Sequence, residues 1–479
     1  MPFVLSRPLG ERGVTLMGWP SAGADNDRPS VNDLRRVVLL VAGVLLVLAA
    51  AALLVRGWSG GAQARLDQQA AEFVSIALDL GRIEPEEVDG YFGSEKLAPA
   101  VEGSAPTPAA LHARAVQLQA AIAADASEAE QAERRERLRA RASALAHLLD
   151  GLARDDRTGF DEQAEQVYGV RDVSGGGVDG LIARRLDTLL PGEGPLPARI
   201  EMFRAQFVIP QQRRAAVFER ALQECRKRTL AHWRLPADEH VTIEWSAAAP
   251  AAWHRYDGNH RSTLRVNPAA VADPAAAIDV ACHEGYPGHH AQFVAMDAAA
   301  PGGLQVEDRV VLLRSPDTML REGAANYGVE LAFPEAERLA FTRDVLFPLA
   351  GLPTRDVARY EEVHRLVSAL SASTLPILRD YHDRRLPFAQ AAAALERDAL
   401  ISSPAALLAF TDRLGAYAIG YTVAAARVRS HVEVEAQRWR QDAWAALRTT
   451  VVGRPVAALN PLLCRSTLAS SAPSALPAP

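Results

Sequence analysis

The chain has 479 residues, of which 49% are hydrophobic and 23% charged, and its formal net charge is −6. This composition excludes an intrinsically disordered chain, provides enough apolar side chains for a large core, and gives no support to nucleic-acid binding. The three cysteines, Cys225, Cys282 and Cys464, lie far apart in the sequence and predict no disulfide framework.

The first predicted element is an apolar segment near the N-terminus. Val37–Val55 contains nineteen residues without a charge. A helix of that length spans about 28 Å, close to the ~30 Å hydrocarbon core of a membrane. Arg35 and Arg36 directly precede it, which favours a cytoplasmic N-terminus. Residues 1–34 lack periodicity and are predicted to form a flexible cytoplasmic tail.

Two interpretations of this apolar segment stay open. In the first, residues 35–57 form a signal anchor that stays in the membrane as a single transmembrane helix. In the second, a signal peptide is cleaved after Ala62-Gln63-Ala64, which has the A-x-A pattern. The length of the apolar run favours the anchor. Both interpretations place the chain from Arg65 onward on the periplasmic or extracellular side of a bacterial inner membrane.

The chain beyond this segment is predicted to be mostly α-helical. Ser127–Arg154 is rich in strong helix formers, and Arg199–Trp233 continues the helical pattern with an interruption near Pro210. We therefore expect one large helical domain over residues 65–450. The last residues, 466–479, are rich in Ser, Ala and Pro and are predicted to form a disordered tail.

One region has the pattern of β-strands. Val241–Trp245 alternates in polarity, and Thr263–Asn267 follows after a turn at Asp257-Gly258. A small β-hairpin or sheet is expected beside the helix that comes next. Two roles for it are equally open: many zinc peptidases hold an extended substrate on a short edge strand by main-chain hydrogen bonds, and a purely structural hairpin would give the same pattern.

The residues that indicate chemistry are concentrated in one segment, His283-Glu284-Gly285-Tyr286-Pro287-Gly288-His289-His290. It contains three of the chain's twelve histidines. Zinc binds neutral imidazoles and carboxylates, and a catalytic zinc site leaves one position for water. The motif H-E-x-x-H places two histidines one helical turn apart, but here the fourth residue after His283 is Pro287.

The proline decides the geometry that this segment can adopt. On an unbroken helix neither His289 nor His290 would reach an ion bound by His283. Pro287 would clash with the His283 carbonyl, and Gly288 permits unusual backbone angles, so a bulge or kink is expected between the histidines. Such a break can bring His289 or, alternatively, His290 to the ion. The competing interpretation is a surface histidine cluster without a metal.

A second motif lies on a later predicted helix. Glu322, Asn326 and Glu330 are spaced four residues apart, which places them on one helix face. Glu322 is predicted to be the third metal ligand, with the remaining acids orienting the histidines. A solvated acidic face is the alternative. The neighbours Ala324 and Ala325 instead indicate a buried helix, where an unpaired carboxylate would be costly.

These two motifs together carry a family resemblance. His283–His290 with Glu322-Gly323-x-x-Asn326-Tyr327 resembles a large bacterial family, domain-of-unknown-function family 885. Its hallmark is an H-E-x-x-P-G-H-H segment followed by an E-G-x-A-x-Y-type segment. Other stretches that resemble the family are Phe160–Ala164, Leu189–Pro195 and Asp257–Ser262. The resemblance covers roughly residues 65–440.

The resemblance has consequences for fold and site. The family is distantly similar to helical metallocarboxypeptidases with an H-E-x-G-H motif. It therefore implies a mostly α, cleft-containing, metallopeptidase-like domain. Aligning the Gly-His pair favours His289 over His290 as the second ligand.

A third group of residues lies nearer the C-terminus. Arg413, Tyr417 and Tyr421 are spaced four apart and are predicted to share one helix face. The family has a Tyr-rich segment here, and metallopeptidases of this architecture often use a Tyr or His to hydrogen-bond the oxyanion. Tyr417, Tyr421 and His382 are therefore candidate catalytic residues. Gly415-Ala416 stands where family members tend to carry a further arginine, and a packing role for each candidate is equally open.

The combined expectation is a membrane-anchored extracytoplasmic zinc hydrolase. Zn²⁺ held by His283, His289 and Glu322 would lower the pKa of a bound water from ~15.7 to roughly 7. Glu284 would act as general base and return the proton to the leaving amine. The predicted substrate is a peptide or a related amide.

Two other function classes remain open. A zinc hydrolase of a non-peptide amide or ester would use the same motif. A non-catalytic, membrane-tethered binding or scaffold protein with a degenerate site would bind no stoichiometric metal. A serine hydrolase is disfavoured because the sequence contains no G-x-S-x-G segment.

Overall fold

The computed structural model describes residues 61–97, 104–125, 131–173, 180–247, 251–300 and 303–453. The predicted cytoplasmic tail, the anchor segment Val37–Val55 and the C-terminal tail all lie outside these residues. Among the residues described, no helix is both long enough and apolar enough to cross a membrane.

Three long helices begin the described part of the chain: α1 (61–83), α2 (Pro108–Ala124) and α3 (Ala132–Arg154). The start of α2 is set locally, because Thr107 accepts a hydrogen bond from the Ala110 amide at 3.3 Å and Pro108 occupies the first turn. The apolar faces of these helices enclose their own core, which includes Phe73 and Leu145.

The remaining helices follow in chain order. They are α4 (Phe160–Gln166), α5 (Gly180–Leu189), α6 (Leu196–Arg204), α7 (Gln211–Leu230), α8 (Pro274–Glu284), α9 (His289–Ala299), α10 (Pro316–Ala332), α11 (Glu335–Phe341), α12 (Phe347–Ala350), α13 (Val357–Ala369), α14 (Leu375–His382), α15 (Phe388–Asp398), α16 (Pro404–Leu414), α17 (Val423–Trp439) and α18 (Ala443–Gly453). The protein is thus mostly helical, as predicted. The largest core brings α7 to α10 together with α16 to α18.

Two small sheets complete the fold. β1 (Val88–Tyr91) pairs antiparallel with β5 (Val310–Leu312). The second sheet has the order β2-β4-β3, formed by β2 (His240–Trp245), β4 (Arg261–Val266) and β3 (Ala252–Gly258). β3 is therefore an edge strand of this sheet, and β4 is the strand that directly precedes α8 in the chain.

The small sheet expected in this region is confirmed, but the two expected strands do not form a hairpin with each other. β2 and β4 run parallel, from His240 opposite Arg261 to Trp245 opposite Val266. The hairpin partner of β4 is β3, which the sequence pattern did not indicate. The tight turn that joins them contains three successive residues with positive φ, at 81°, 50° and 60°, beginning with Gly258. The predicted turn position was right, and the strand before it was missed.

The expectation of no disulfide was also wrong. Cys225 in α7 and Cys282 in α8 form a disulfide, with their Cα atoms 5.4 Å apart. They are 57 residues apart in the sequence, and only the packing of α7 against α8 brings them together. The odd number of cysteines leaves Cys464, which lies outside the described residues.

Candidate metal centre

The segment between the first two histidines breaks the helix completely. α8 ends at Glu284 and α9 begins at His289, with a cis peptide bond between Tyr286 and Pro287. The Gly288 amide donates to the Cys282 carbonyl at 3.0 Å, which closes the turn. The predicted interruption at the Pro-Gly step is confirmed, as a break between two helices rather than a bulge within one.

Glycine is required at two positions around this turn. A Cβ at Gly288 would lie 1.7 Å from the His283 carbonyl oxygen, so no larger residue fits there. A Cβ at Gly328 on α10 would lie 2.7 Å from the Pro287 ring. The absence of a side chain at Gly328 lets α10 press directly against the turn. The two sequence motifs are thus in contact through Pro287 and Gly328.

This packing brings His283, His289 and Glu322 together; we call these three residues the triad. The His283 Nε2 atom lies 3.3 Å from Glu322 Oε2, and the His289 Nε2 atom lies 3.4 Å from Glu322 Oε1. One ligand atom from each of the three residues lies within 4.8 Å of the others. All three side chains are largely buried, with 14%, 12% and 7% of their surface exposed.

The charges within the triad are strongly coupled. Burial lowers the pKa of His283, but the adjacent Glu322 carboxylate outweighs this effect and raises it to about 9. Burial would raise the pKa of Glu322, yet the two imidazoles hold it well below its usual range. Without a metal, the Glu322 charge is thus matched by a proton on His283, and a metal ion must displace that proton to bind.

Glu284 lies beside the triad at the end of α8. Burial and the Glu322 charge raise the pKa of its carboxyl group, while His283 and His289 oppose the increase. Within the described part of the chain this carboxylate makes no hydrogen bond and no ion pair. A carboxylate in this position is free to accept a proton from a group bound at the triad.

His290 does not join the triad. Its Nε2 lies 2.9 Å from Glu239 Oε2, and its Nδ1 lies 2.8 Å from Ser262 Oγ. Tyr286 and Arg226 also bond to Glu239, the arginine at 2.6 Å. We call this group, together with His254, the buried network. Because both ring nitrogens of His290 are used within it, the alternative assignment of His290 as a metal ligand is wrong for this structure.

The protons in the buried network can be assigned in order. Burial would raise the pKa of Glu239, but the hydrogen bonds from His290, Tyr286 and Arg226 outweigh this effect and lower it to about 2. The ionised carboxylate therefore accepts a hydrogen bond from the His290 Nε2–H. Burial lowers the pKa of His290, so its Nδ1 carries no proton. This nitrogen accepts a hydrogen bond from the Ser262 hydroxyl. The Ser262 oxygen in turn accepts from His254 Nε2, 2.9 Å away.

The predicted common face of Arg413, Tyr417 and Tyr421 does not exist. α16 ends at Leu414, and the following segment Gly415–Tyr421 is a 3-10 helix with three residues per turn, so residues four apart point in different directions. Arg413 pairs with Glu86 at 3.2 Å instead.

The two tyrosines have different surroundings. The Tyr417 hydroxyl donates to Glu322 Oε1 at 2.8 Å, and burial with the Glu322 charge raises the pKa of Tyr417 well above its usual range. Tyr421 is 43% exposed, and its ring centroid lies 6.2 Å from that of His283. Both tyrosines therefore belong to the site: Tyr417 orients a triad residue, and Tyr421 faces the open side.

Two further predicted roles are not supported by the geometry. His382 bonds to the Thr158 carbonyl at 2.9 Å, and none of its contacts within the described residues reaches the triad. On α10, Asn326 hydrogen-bonds His283. Glu330 does not, because it pairs with Arg429 on α17. Eight residues of helix rotate Glu330 about 80° away from Glu322.

Sequence reasoning missed two residues that lie near the triad. His254 on β3 has its ring centroid 5.8 Å from that of His289. Asp89 on β1 accepts a hydrogen bond from the Trp253 indole. Burial raises the pKa of Asp89 to about 6, and the charges of Arg321 and His289 oppose this. The position of His254 in the β-rich region before α8 could have indicated it from the sequence. No feature of the sequence around Asp89 indicates that it lies near the triad.

Comparisons with known proteins add little to this geometry. No protein-family model matches the chain, and no curated protein does. A protein from Colwellia psychrerythraea described as a lipoprotein is similar in structure, with 15% identity, a TM-score of 0.46, and coverage of 73% of this chain and 65% of the other. The chain thus spans less than two thirds of that protein's length.

A second solved structure, of a protein from Shewanella oneidensis described as a lipoprotein of unknown function, has 15% identity and a TM-score of 0.44. It covers 75% of this chain and 74% of the other. At this degree of likeness neither match bears on function.

Proposed function

We propose that this protein is a zinc-dependent hydrolase of peptide or related amide bonds, acting outside the cytoplasm from a membrane anchor. The observation that carries the proposal is the convergence of two imidazoles and one carboxylate from three helices, with an unpaired carboxylate, Glu284, beside them. The family resemblance of the two motifs points the same way.

The triad fits a zinc ion by its spacing. Two ligands bonded to one tetrahedral zinc at about 2.05 Å lie roughly 3.3 Å apart. The distances from the two Glu322 oxygens to the two histidines, 3.3 and 3.4 Å, are close to this value, and one ligand atom of each residue lies within 4.8 Å of the others. In addition, Glu322 Oε2 is buried and is approached by the His283 imidazole at 3.3 Å without a well-aligned hydrogen bond among the described residues. A buried carboxylate oxygen left in this state calls for a ligand.

The residues around the triad supply the rest of the chemistry. Zinc bound by His283, His289 and Glu322 would activate a water and polarise a carbonyl. Glu284 accepts the proton that the water loses and delivers it to the leaving amine, so that water adds across the broken C–N bond. Tyr421 stands on the open side, where its hydroxyl can donate to the developing oxyanion.

The supporting residues fix the triad in place. Tyr417 holds Glu322 through its hydroxyl, and Asn326 holds His283. Groups of this kind raise metal affinity by keeping ligands oriented. The Cys225–Cys282 disulfide ties α8 to α7 one residue before His283.

Two observations support an extracytoplasmic, anchored location. Disulfides persist in oxidising compartments such as the periplasm, and the Cys225–Cys282 pair is buried in the core. Ala62, within the A-x-A segment, is buried in the first turn of α1, so cleavage after Ala64 would remove part of the folded unit. The apolar segment Val37–Val55 then serves as the anchor.

The test compares Glu284→Gln with the wild-type full-length chain, both loaded with zinc, on a peptide library and on a panel of non-peptide amides and esters. Loss of a general base should lower kcat/KM by about 10²–10⁴-fold while zinc stoichiometry stays unchanged. Glu330→Gln, a carboxylate on α10 that pairs with Arg429, is the matched control and should retain activity.

Two results would count against the proposal. Stoichiometric zinc without Glu284-dependent hydrolysis of any substrate would favour the binding or scaffold class. Hydrolysis confined to the non-peptide panel would replace peptides by another amide or ester as the substrate class.

A further inference from the structure

The 3-10 segment Gly415–Tyr421, which we call the tyrosine segment, contacts Glu322 at two points. The Tyr417 hydroxyl donates to Glu322 Oε1 at 2.8 Å. A Cβ at Gly420 would lie 3.0 Å from the Glu322 Cβ and 3.2 Å from its Cγ, so the backbone of the segment packs directly on this side chain. Tyr421, at the end of the segment, is 43% exposed and faces the open side of the triad. The position of the segment thus affects both a triad residue and the proposed oxyanion donor.

Two buried side chains, one on α4 and one in the turn after it, hold the start of the tyrosine segment. Gln163 Oε1 accepts a hydrogen bond from the Ala416 amide at 2.6 Å. The Tyr168 hydroxyl donates to the Leu414 carbonyl at 3.3 Å. These two bonds lie on either side of Gly415, where a Cβ would come within 1.9 Å of Gln163 Oε1. The backbone is therefore held on both sides of the point where α16 ends.

α4 is in turn held by the end of α14. The Phe160 amide donates to Asp383 Oδ1 at 2.8 Å. His382 bonds to the Thr158 carbonyl at 2.9 Å, and its ring meets the Phe160 ring edge-on with 5.8 Å between centroids. The stretch Phe160–Ala164, which belongs to the family resemblance, and the candidate His382 thus lie in the support of the tyrosine segment.

We propose that Gln163 is a positioning residue, which holds the tyrosine segment so that Tyr417 meets Glu322 and Tyr421 faces the open side of the triad. Ala416 stands in the first turn of the 3-10 helix, where a backbone N–H has no acceptor within the helix. Without Gln163 Oε1 this N–H would be buried and unpaired, so the segment has to move. The inference rests on the proposed function for its consequences for zinc binding and catalysis.

Gln163→Leu and Gln163→Glu, made in the full-length chain, test the proposal. The two side chains are close in size, and only Glu keeps an acceptor oxygen for the Ala416 amide. Competition with a chelator of known affinity should show zinc binding about tenfold weaker in Gln163→Leu and close to wild type in Gln163→Glu. On a cleaved substrate, Gln163→Leu should lower kcat and leave KM nearly unchanged, because the oxyanion contact of Tyr421 is made in the transition state.

Coupling to Tyr417 distinguishes positioning from a general loss of structure. If Gln163 acts through Tyr417, the zinc affinity of Gln163→Leu/Tyr417→Phe falls by less than the product of the two single losses. Gln69→Leu, which removes a glutamine of α1 that bonds to the Ala121 carbonyl at 3.3 Å, is the control and should leave zinc affinity unchanged. Losses that multiply, or equal affinity in Gln163→Leu and Gln163→Glu, overturn the proposal.

Hydrogen exchange of the metal-free chains separates this inference from the proposed function. The amides of the tyrosine segment should exchange about tenfold faster in Gln163→Leu than in wild type or Gln163→Glu. Faster exchange confined to this segment supports the positioning role even if the wild type binds no zinc, and unchanged exchange overturns it even if the protein hydrolyses peptides. Tyr168→Phe, which removes only the longer of the two bonds, should give a smaller increase and provides the test if Gln163→Leu does not fold.

Discussion

His289 and His290 are adjacent in the chain, yet they belong to two polar clusters, the triad and the buried network. The clusters differ in whether their buried polar atoms all have hydrogen-bond partners within the protein. In the buried network, both nitrogens of His290 and both oxygens of Glu239 have partners. In the triad, Glu322 Oε2 is buried and lacks a well-aligned hydrogen bond, with the His283 imidazole 3.3 Å away. The imidazole of His289 faces Glu322 at a distance suited to two ligands of one metal.

From this difference we expect the buried network to stabilise the fold and the triad to bind a ligand. Burying a polar group without a partner costs free energy, so a fully paired cluster contributes to stability by itself. A cluster with converging ring nitrogens and an oxygen that lacks a well-aligned hydrogen bond is complete only with a ligand. The comparison therefore predicts that mutations in the buried network act on folding and mutations in the triad act on metal binding.

The largest expected effect is that of His290→Ala on stability. The change leaves Glu239 without one of its buried partners and creates a void, so the free energy of unfolding should fall by about 3–5 kcal/mol. Urea denaturation measures it, and zinc affinity of the folded fraction should be unchanged. His260→Ala, which removes a partly exposed partner of Asp238, is the control and should cost less than about 1 kcal/mol. Weakened zinc binding in His290→Ala would contradict the assignment of stability to the buried network and of metal binding to the triad.

A smaller effect, with a defined pH dependence, is expected for Glu239→Gln. The folded-state pKa of Glu239, about 2, lies below its value of about 4.5 in the unfolded chain. Its stabilising contribution is therefore complete above pH 4.5 and disappears as the pH falls toward 2. Wild type and variant should differ by on the order of 2–3 kcal/mol in unfolding free energy at pH 7. A difference that stays constant between pH 7 and pH 3 would contradict the assignment of an ionised Glu239.

The smallest effect is expected for Tyr417→Phe. Removing the hydroxyl that holds Glu322 Oε1 should weaken zinc binding by about 10- to 100-fold while the fold is retained. Competition with a chelator of known affinity measures it. Tyr381→Phe is the matched control, since its hydroxyl bonds to Asp412 at 2.6 Å and to no residue of the triad among the described residues. Equal zinc affinity in both variants would show that Tyr417 does not support the metal ligand.

The parts of the site that could be predicted are those fixed by neighbours in the chain. Pro287 and Gly288 act on the backbone of His283 and His289 directly, so the helix break followed from their chemistry. The spacing of Glu322 within a predicted buried helix likewise indicated a ligand. For the fold, the local residue pattern correctly predicted that helices predominate and that the helical stretch is interrupted near Pro210.

The parts that could not be predicted depend on contacts between distant segments. Asp89 reaches the site through the pairing of β1 with β5, which joins residues more than two hundred positions apart. The disulfide depends on the packing of α7 on α8. The common face assigned to Tyr417 and Tyr421 failed because Gly415, at a φ of 56°, ends α16 just before them. Helical spacing holds only while the helix continues.

Zinc titration of the full-length metal-free chain, with wild type and His289→Ala in parallel, tests the central claim most directly. We expect one zinc per wild-type chain and an affinity about 100- to 1,000-fold lower in His289→Ala, the loss expected for one ligand of a site worth roughly 10–16 kcal/mol in total. Absence of stoichiometric binding in the folded wild type, or equal affinity in the two proteins, would contradict the assignment of the triad as a metal centre.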